Sequence, residues 1–174
     1  MKKRLLAVIS SMLLLVCMGC NSSGATSNEG GKGPEGALTD IVEQIYDVHS
    51  PAFGVGTMEI DLSDADMVKM YTGLDSADAV SEAVASEAMI SAQAYSMVLV
   101  RVKDAGDAEA VAADMKAGIN PRKWVCVEAD DLQVVACEDV VLLIMVSSQL
   151  SDSVTSQQIV DAFREVCGGT LTVE

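Results

Sequence analysis

At 174 residues, half of them hydrophobic, the chain is long enough for one domain that buries roughly two-thirds of its unfolded surface. Its formal charge of −15 sets it against phosphate backbones and anionic lipid head groups, which excludes nucleic acid as a ligand and leaves cations or a basic partner compatible. Six aromatic residues (Tyr46, Phe53, Tyr71, Tyr95, Trp124 and Phe163) are sparse for platforms that stack sugars or bases, so the core has to come from Val, Ala, Leu, Ile and Met.

The chain begins with Lys2, Lys3 and Arg4, followed by an apolar run from Leu5 to Met18 that only Ser10 and Ser11 interrupt. A basic start and a short apolar core make a signal peptide, because a spanning helix needs about 20 apolar residues. The run ends in Val16-Cys17-Met18-Gly19-Cys20, which resembles the bacterial lipobox, a small residue before an obligatory cysteine. That resemblance implies that residues 1–19 are removed and that Cys20 carries a diacylglyceryl thioether. Two acyl chains, at about 0.8 kcal/mol per buried CH₂, then hold the protein on the membrane without a spanning helix. The expected location is the cell membrane, lipid-anchored on its extracytoplasmic face. Loss of the leader takes the formal charge from −15 to −18. Cys17 and Cys20 also spell C-x-x-C, but cleavage discards Cys17 and with it any redox or metal reading.

Residues 20–36 continue past the lipidated cysteine as NSSGATSNEGGKGPEG, rich in Gly, Ser, Asn and Thr, and predict a flexible tether. A single domain is expected from Ala37 to Glu174. Leu38, Ile41, Val42, Ile45 and Tyr46 fall at helical spacing with Thr39 as a cap, and His49-Ser50-Pro51 ends that helix. Ser63 and Asp66 have capping-box spacing for a short helix that runs to about Tyr71 and closes at Gly73.

Two strands are predicted next, Val80 to about Ala92 with rough alternation and Met97 to Val102 as an almost continuous apolar run. A helix over 106–118 follows, with Val111, Met115 and Ile119 on one side. Asn120 and Pro121 fit the start of a second short helix carrying Trp124, Val125 and Val127 inward. Leu132–Ala136 and Val140–Ser147 form a hairpin about Glu138-Asp139. A last helix has Thr155 as cap, Gln158 to complete the box, Ile159, Val160, Phe163, Val166 and Cys167 on its buried face, and Gly168-Gly169 as its stop. The order, strand-strand-helix twice after N-terminal helices, predicts an α+β fold: a four-stranded antiparallel sheet with helices packed on one face.

The segment from Ser96 to Asp104, the helix after it, the hairpin and the run from Val140 to Ser147 resemble a family of uncharacterised bacterial lipoproteins. Members share a lipobox leader, a tether and one small domain of unknown function, and the resemblance spans residues 73–168. It implies location and fold, and no activity.

The search for chemistry finds no catalytic constellation. His49 is the sole imidazole, and no G-x-S-x-G elbow exists to pair with it, so a solvated loop or cap position is the plainer role. His49 with Cys126, Cys137 and Cys167 matches no zinc spacing, and Asp61, Asp64 and Asp66 lack the order and glycine of a calcium loop. No metal site is therefore assigned. Glu128, Asp130 and Asp131, or Glu138 and Asp139, are carboxylates of the kind a hydrolase pairs, yet in so acidic a chain they read as loop charge. Gly54-Val55-Gly56 and Gly30-Gly31-Lys32-Gly33 lack the spacing of phosphate-binding loops, so no cofactor is implied. Three thiols remain after Cys20 is lipidated, which permits at most one internal disulfide. Cys126 and Cys137 are the pair that would form one, but the favoured reading is buried free cysteines that act as small apolar residues.

Two functions follow from these residues. One is a membrane-tethered, non-catalytic binding or interaction module that presents its sheet face or an edge strand to an envelope protein, a peptide or a small solute. The alternative is an extracytoplasmic hydrolase that uses carboxylates.

Overall fold

The computed structural model describes residues 33–173; the leader and Cys20, the predicted lipid attachment point, lie outside them. Within that span the elements are α1 (Leu38–Val48), β1 (Val55–Glu59), α2 (Ala65–Thr72), β2 (Val80–Ala88), β3 (Tyr95–Val102), α3 (Ala108–Gly118), β4 (Asp131–Cys137), β5 (Val140–Val146) and α4 (Ser156–Val166). All strand pairings are antiparallel, in the order β1-β2-β3-β5-β4. The α+β class therefore holds, but the sheet has five strands where four were expected. The extra one is β1, whose sequence VGTME has none of the alternation that marks a half-buried strand.

Helices cover both faces of the sheet, contrary to the one-sided packing predicted. On one side Leu38, Ile41, Val42 and Ile45 of α1 join Ile159, Val160 and Phe163 of α4 over Tyr95, Met97, Leu99, Leu142 and Ile144. On the other, Val68 of α2 and Val111, Ala112 and Met115 of α3 pack on Ala83, Ala85, Val98, Val100, Leu143 and Met145. Two-sided cover explains β5, all seven of whose residues are buried: a strand between two helical layers must be apolar at every position. Each Val, Leu, Ile or Met so enclosed contributes about 1.5–3 kcal/mol of transfer free energy.

Helix α4 begins as predicted. The Thr155 hydroxyl accepts from the Gln158 amide (3.3 Å) and the Gln158 side chain accepts from the Thr155 amide (2.9 Å). Elsewhere the caps differ. Thr39 lies inside α1, whose N-cap is Ala37 with no side-chain bond. Asp64, not Ser63, caps α2, accepting from the amides of Asp66 and Met67 at 3.0 Å each, while Ser63 donates to Asp61 through its amide (2.9 Å) and hydroxyl (2.6 Å). No helix starts at Pro121. The Asn120 side chain accepts from the Arg122 amide (3.0 Å) and makes a turn there, and Val125, expected inside, is 98% exposed.

The ordered body also starts earlier than Ala37. Gly33 and Pro34 are buried, with the Gly33 amide donating to Asp139 (2.6 Å) and the Arg101 guanidinium donating to the carbonyls of Pro34 (3.1 Å) and Gly36 (2.9 Å). The last four residues of the predicted tether are thus part of the fold.

Candidate functional site

The two edges of the sheet are treated differently. At β4 the C-terminal segment lies alongside the end of the strand and bridges it at Ala136: the Thr172 amide donates to the Ala136 carbonyl (2.7 Å), and the Ala136 amide to the Val173 carbonyl (3.0 Å). At β1 no strand among the described residues occupies the outer side. Ile60 and Gly54, flanking β1, bond to Ala83 and Met89 respectively, so by antiparallel alternation the even-numbered residues face β2. The N–H and C=O groups of Val55, Thr57 and Glu59 accordingly point outward. Beyond the strand, the β2–β3 connection carries Met89 and Ile90, which are 75% and 60% exposed, and Met89 lies across Gly54 and Gly56. With Met58 also exposed, β1 forms an open polar edge rimmed by apolar side chains.

At the same end of the sheet a polar cluster is enclosed beneath the loop spanning 119–130. Lys123 forms an ion pair with Glu87 of β2 and donates to the Ser96 hydroxyl of β3 (3.0 Å), and its ammonium lies 4.9 Å from the Tyr71 ring and 5.4 Å from that of Trp124. Glu87 and Ser96 are cross-strand partners, which is why both can meet one amine. The Lys123 side chain is only 9% exposed, and burial lowers its pKa against the opposing pull of the Glu87 carboxylate. A serine hydroxyl beside a lysine amine is the germ of a nucleophile pair. Here Ser96 is completely buried and the amine is engaged by the Glu87 carboxylate, so the cluster fastens the loop to the sheet. An open cleft of about 600 Å³ lies beside that loop, lined by Arg122, Trp124, Glu128, Asp130 and Gln149 among others.

The residues singled out in the sequence are dispersed among structural roles. His49 is the C-cap of α1, and its Nε2 is buried with no hydrogen-bond partner, neither serine nor carboxylate. Hydrogen bonds from Ser63 lower the pKa of Asp61, and those from the Ser148 hydroxyl (2.6 Å) and amide (2.5 Å) lower that of Asp130. Glu128 pairs with Arg122, and Asp131 accepts from the Ser156 amide at the start of α4 (3.3 Å). Glu138 makes the hairpin turn at φ 53°, and Asp139 binds Arg101. Among the described residues no group of three or more His, Cys, Asp or Glu side chains is placed to hold a metal ion.

Cys126 and Cys137 are not bonded to each other. Trp124 and Val127, flanking Cys126, pack on the α2/α3 face, whereas Cys137 belongs to the α1/α4 face, so the sheet lies between the two anchorages. Gly54 leads into the edge strand that Val55 and Gly56 begin, while Gly30 to Lys32 lie outside the described residues.

Two features escaped the sequence reading. Lys123 sits in a segment that had been read as a helix. Arg101 stands in an otherwise apolar strand, which is a signal in itself, since a lone charge there needs buried partners.

Among the described residues no helix is long and apolar enough to cross a membrane. Neither a family model nor a curated protein nor a solved structure matches this chain.

Proposed function

We propose that the protein is a non-catalytic binding module, held by lipid on Cys20 at the extracytoplasmic face of the membrane, that captures an extended basic peptide segment of an envelope protein on the open edge of β1. The observation that carries this reading is the β1 edge, which no strand among the described residues pairs and which is exposed and rimmed by Met58, Met89 and Ile90, whereas the opposite edge is bridged at Ala136 by the chain's own C-terminal segment. Natural sheets blunt or cover free edges because they template pairing with other chains, so an uncovered edge with an apolar rim is suited to strand addition. The partner's charge follows from the chain's own acidity. The leader and lipobox pattern support the anchor, and the resemblance to uncharacterised lipoproteins supports the same location.

The test uses Thr57→Pro. Proline at position 57 removes an outward N–H and leaves the backbone bonds to β2 intact, losing only the Thr57 hydroxyl's bond to Ser86 (3.1 Å), a substitution edge strands tolerate. A photo-crosslinker in place of Met89, activated in intact cells, is expected to yield an adduct with an envelope protein. Thr57→Pro should cut that adduct at least tenfold without changing the melting temperature by more than a few degrees. Equal adduct yield from both forms would show that β1 is not the docking edge.

A further inference from the structure

We propose that Cys137 and Cys167 are a disulfide-forming pair, a covalent modification site that closes when the protein meets a low-molecular-weight disulfide. The pairing rests on the fold and does not depend on where the chain resides. Cys137 is the last residue of β4, two residues beyond Val135 on the same side of the strand, and so its side chain enters the α1/α4 layer. Cys167 is the C-cap of α4, four residues beyond Phe163, and helical periodicity places it one turn further along the same buried stripe. Both belong to a single packed cluster, Cys137 in its buried core and Cys167 packed against it, and each thiol perturbs the titration of the other. After Gly168 and Gly169, both at positive φ, the chain turns back so that Thr172 and Val173 bond to Ala136 and the Thr172 hydroxyl accepts from the Glu138 amide (3.0 Å). The residues on either side of Cys137 are thus tied to the segment that follows Cys167.

The chemistry balances with the external disulfide as oxidant. A thiolate of the pair attacks RS–SR and releases RS⁻, forming a mixed disulfide. The second cysteine then attacks the protein sulfur and releases another RS⁻. The net result is one new S–S bond, two protons transferred and two RSH formed. The Cys167 thiol, donating to Cys137, holds the Cys137 pKa below the ordinary thiol value, while the same contact and burial push that of Cys167 well up. One member of the pair is therefore disposed to be the first nucleophile. Cys137 is buried and Cys167 only half-buried, so a small reagent reaches the pair from the Cys167 side, and Cys126, on its exposed loop, is the third thiol among the described residues.

Closing this bond joins positions about 30 residues apart in sequence, a span for which loop-closure entropy gives a marked gain in stability. It also staples the end of α4 to the hairpin whose Asp139 holds Gly33 and Arg101, the point where the tether enters the fold.

The experiment oxidises the full chain with excess cystine, quenches in acid, and maps tryptic peptides without reduction. Residues 124–164 contain both Cys126 and Cys137, so the chain used carries Cys126→Ser. Fragment 124–164 joined to the C-terminal fragment beginning at Glu165, together with a melting temperature about 5–10 °C above the reduced form, is the expected result. Cys167→Ala should melt at one temperature with or without cystine. Alkylation of both Cys137 and Cys167 after oxidation and denaturation would overturn the proposal, as would an oxidant-dependent shift that persists in Cys167→Ala.

Discussion

The guanidinium of Arg101 ties together three stretches of chain that are remote in sequence. It contacts Asp139 at 3.2 and 3.3 Å, lies 3.6 Å from Glu82 and donates to two carbonyls of residues 34–36, while the Glu82 carboxylate accepts from the Leu38 amide at the start of α1. Its side chain is 18% exposed, so these contacts are only partly screened by water. Arg101→Met keeps the apolar stem and removes the charge, leaving Asp139 and Glu82 facing each other without their cation. The expected loss is about 2–3 kcal/mol in urea unfolding, with amide exchange of residues 33–37 accelerated far more than that of β3. A loss below 0.5 kcal/mol would mean that the clamp is ornamental to the fold. Arg101 escaped notice although a charge inside an apolar strand was a signal the sequence carried. Its partners carried no such signal, because nothing local to residue 101 indicates that positions 34, 36, 82 and 139 converge on it.

Helices α2 and α3 meet at their C-terminal ends through two glycines, and the contact is between backbones. A Cβ on Gly118 would stand 2.1 Å from the Gly73 carbonyl oxygen, and one on Gly73, which sits at φ 80° as the α2 C-cap, 2.4 Å from the Ile119 amide. Helix propensity alone would have alanine at the last position of α3 stabilise by about 1 kcal/mol. The contact reverses that sign, because a backbone carbonyl cannot swing aside as a side chain can. Gly118→Ala is expected to destabilise by about 2 kcal/mol in chemical denaturation, and any net stabilisation would contradict the close approach. Gly73 was legible as a helix stop, whereas its embrace with Gly118 was not, since it arises only when two helices are docked. The same distinction runs through the other elements. Helix α4 and the strands β3 and β5 declared themselves because capping residues and apolar runs are local signals. Strand β1 did not, because a strand exposed on both faces carries no periodicity. The loop spanning 119–130 misled because Pro121 is as much at home in a turn as at a helix start, and Trp124 is fixed by Lys123 instead of by a helical stripe.

At the scale of the whole molecule, the nearly continuous apolar runs of β3 and β5 were the sign of a sheet covered on both sides, whereas the strand-strand-helix order had suggested one helical layer. Strand order, and hence which edge lies open, is a property of the assembled sheet and has no local signature, so the candidate docking edge emerged only with the topology. Charge, by contrast, is additive and was readable from the start. On the proposed reading, in which the leader is removed, the protein carries −18, and that field draws cationic segments toward it over roughly a Debye length of 8–10 Å. If a basic segment is what β1 captures, encounter should be steered by this field and backbone pairing should then hold the complex. Raising salt from about 50 to 500 mM should therefore slow association at least several-fold while leaving dissociation nearly unchanged. Surface-immobilised protein and the purified crosslinked partner would report both rates separately. Salt-independent association would remove the basic partner from the proposal while leaving the edge in place, whereas a dissociation rate that rose with salt as steeply as association fell would mean that charge pairs, and not the strand, hold the complex together.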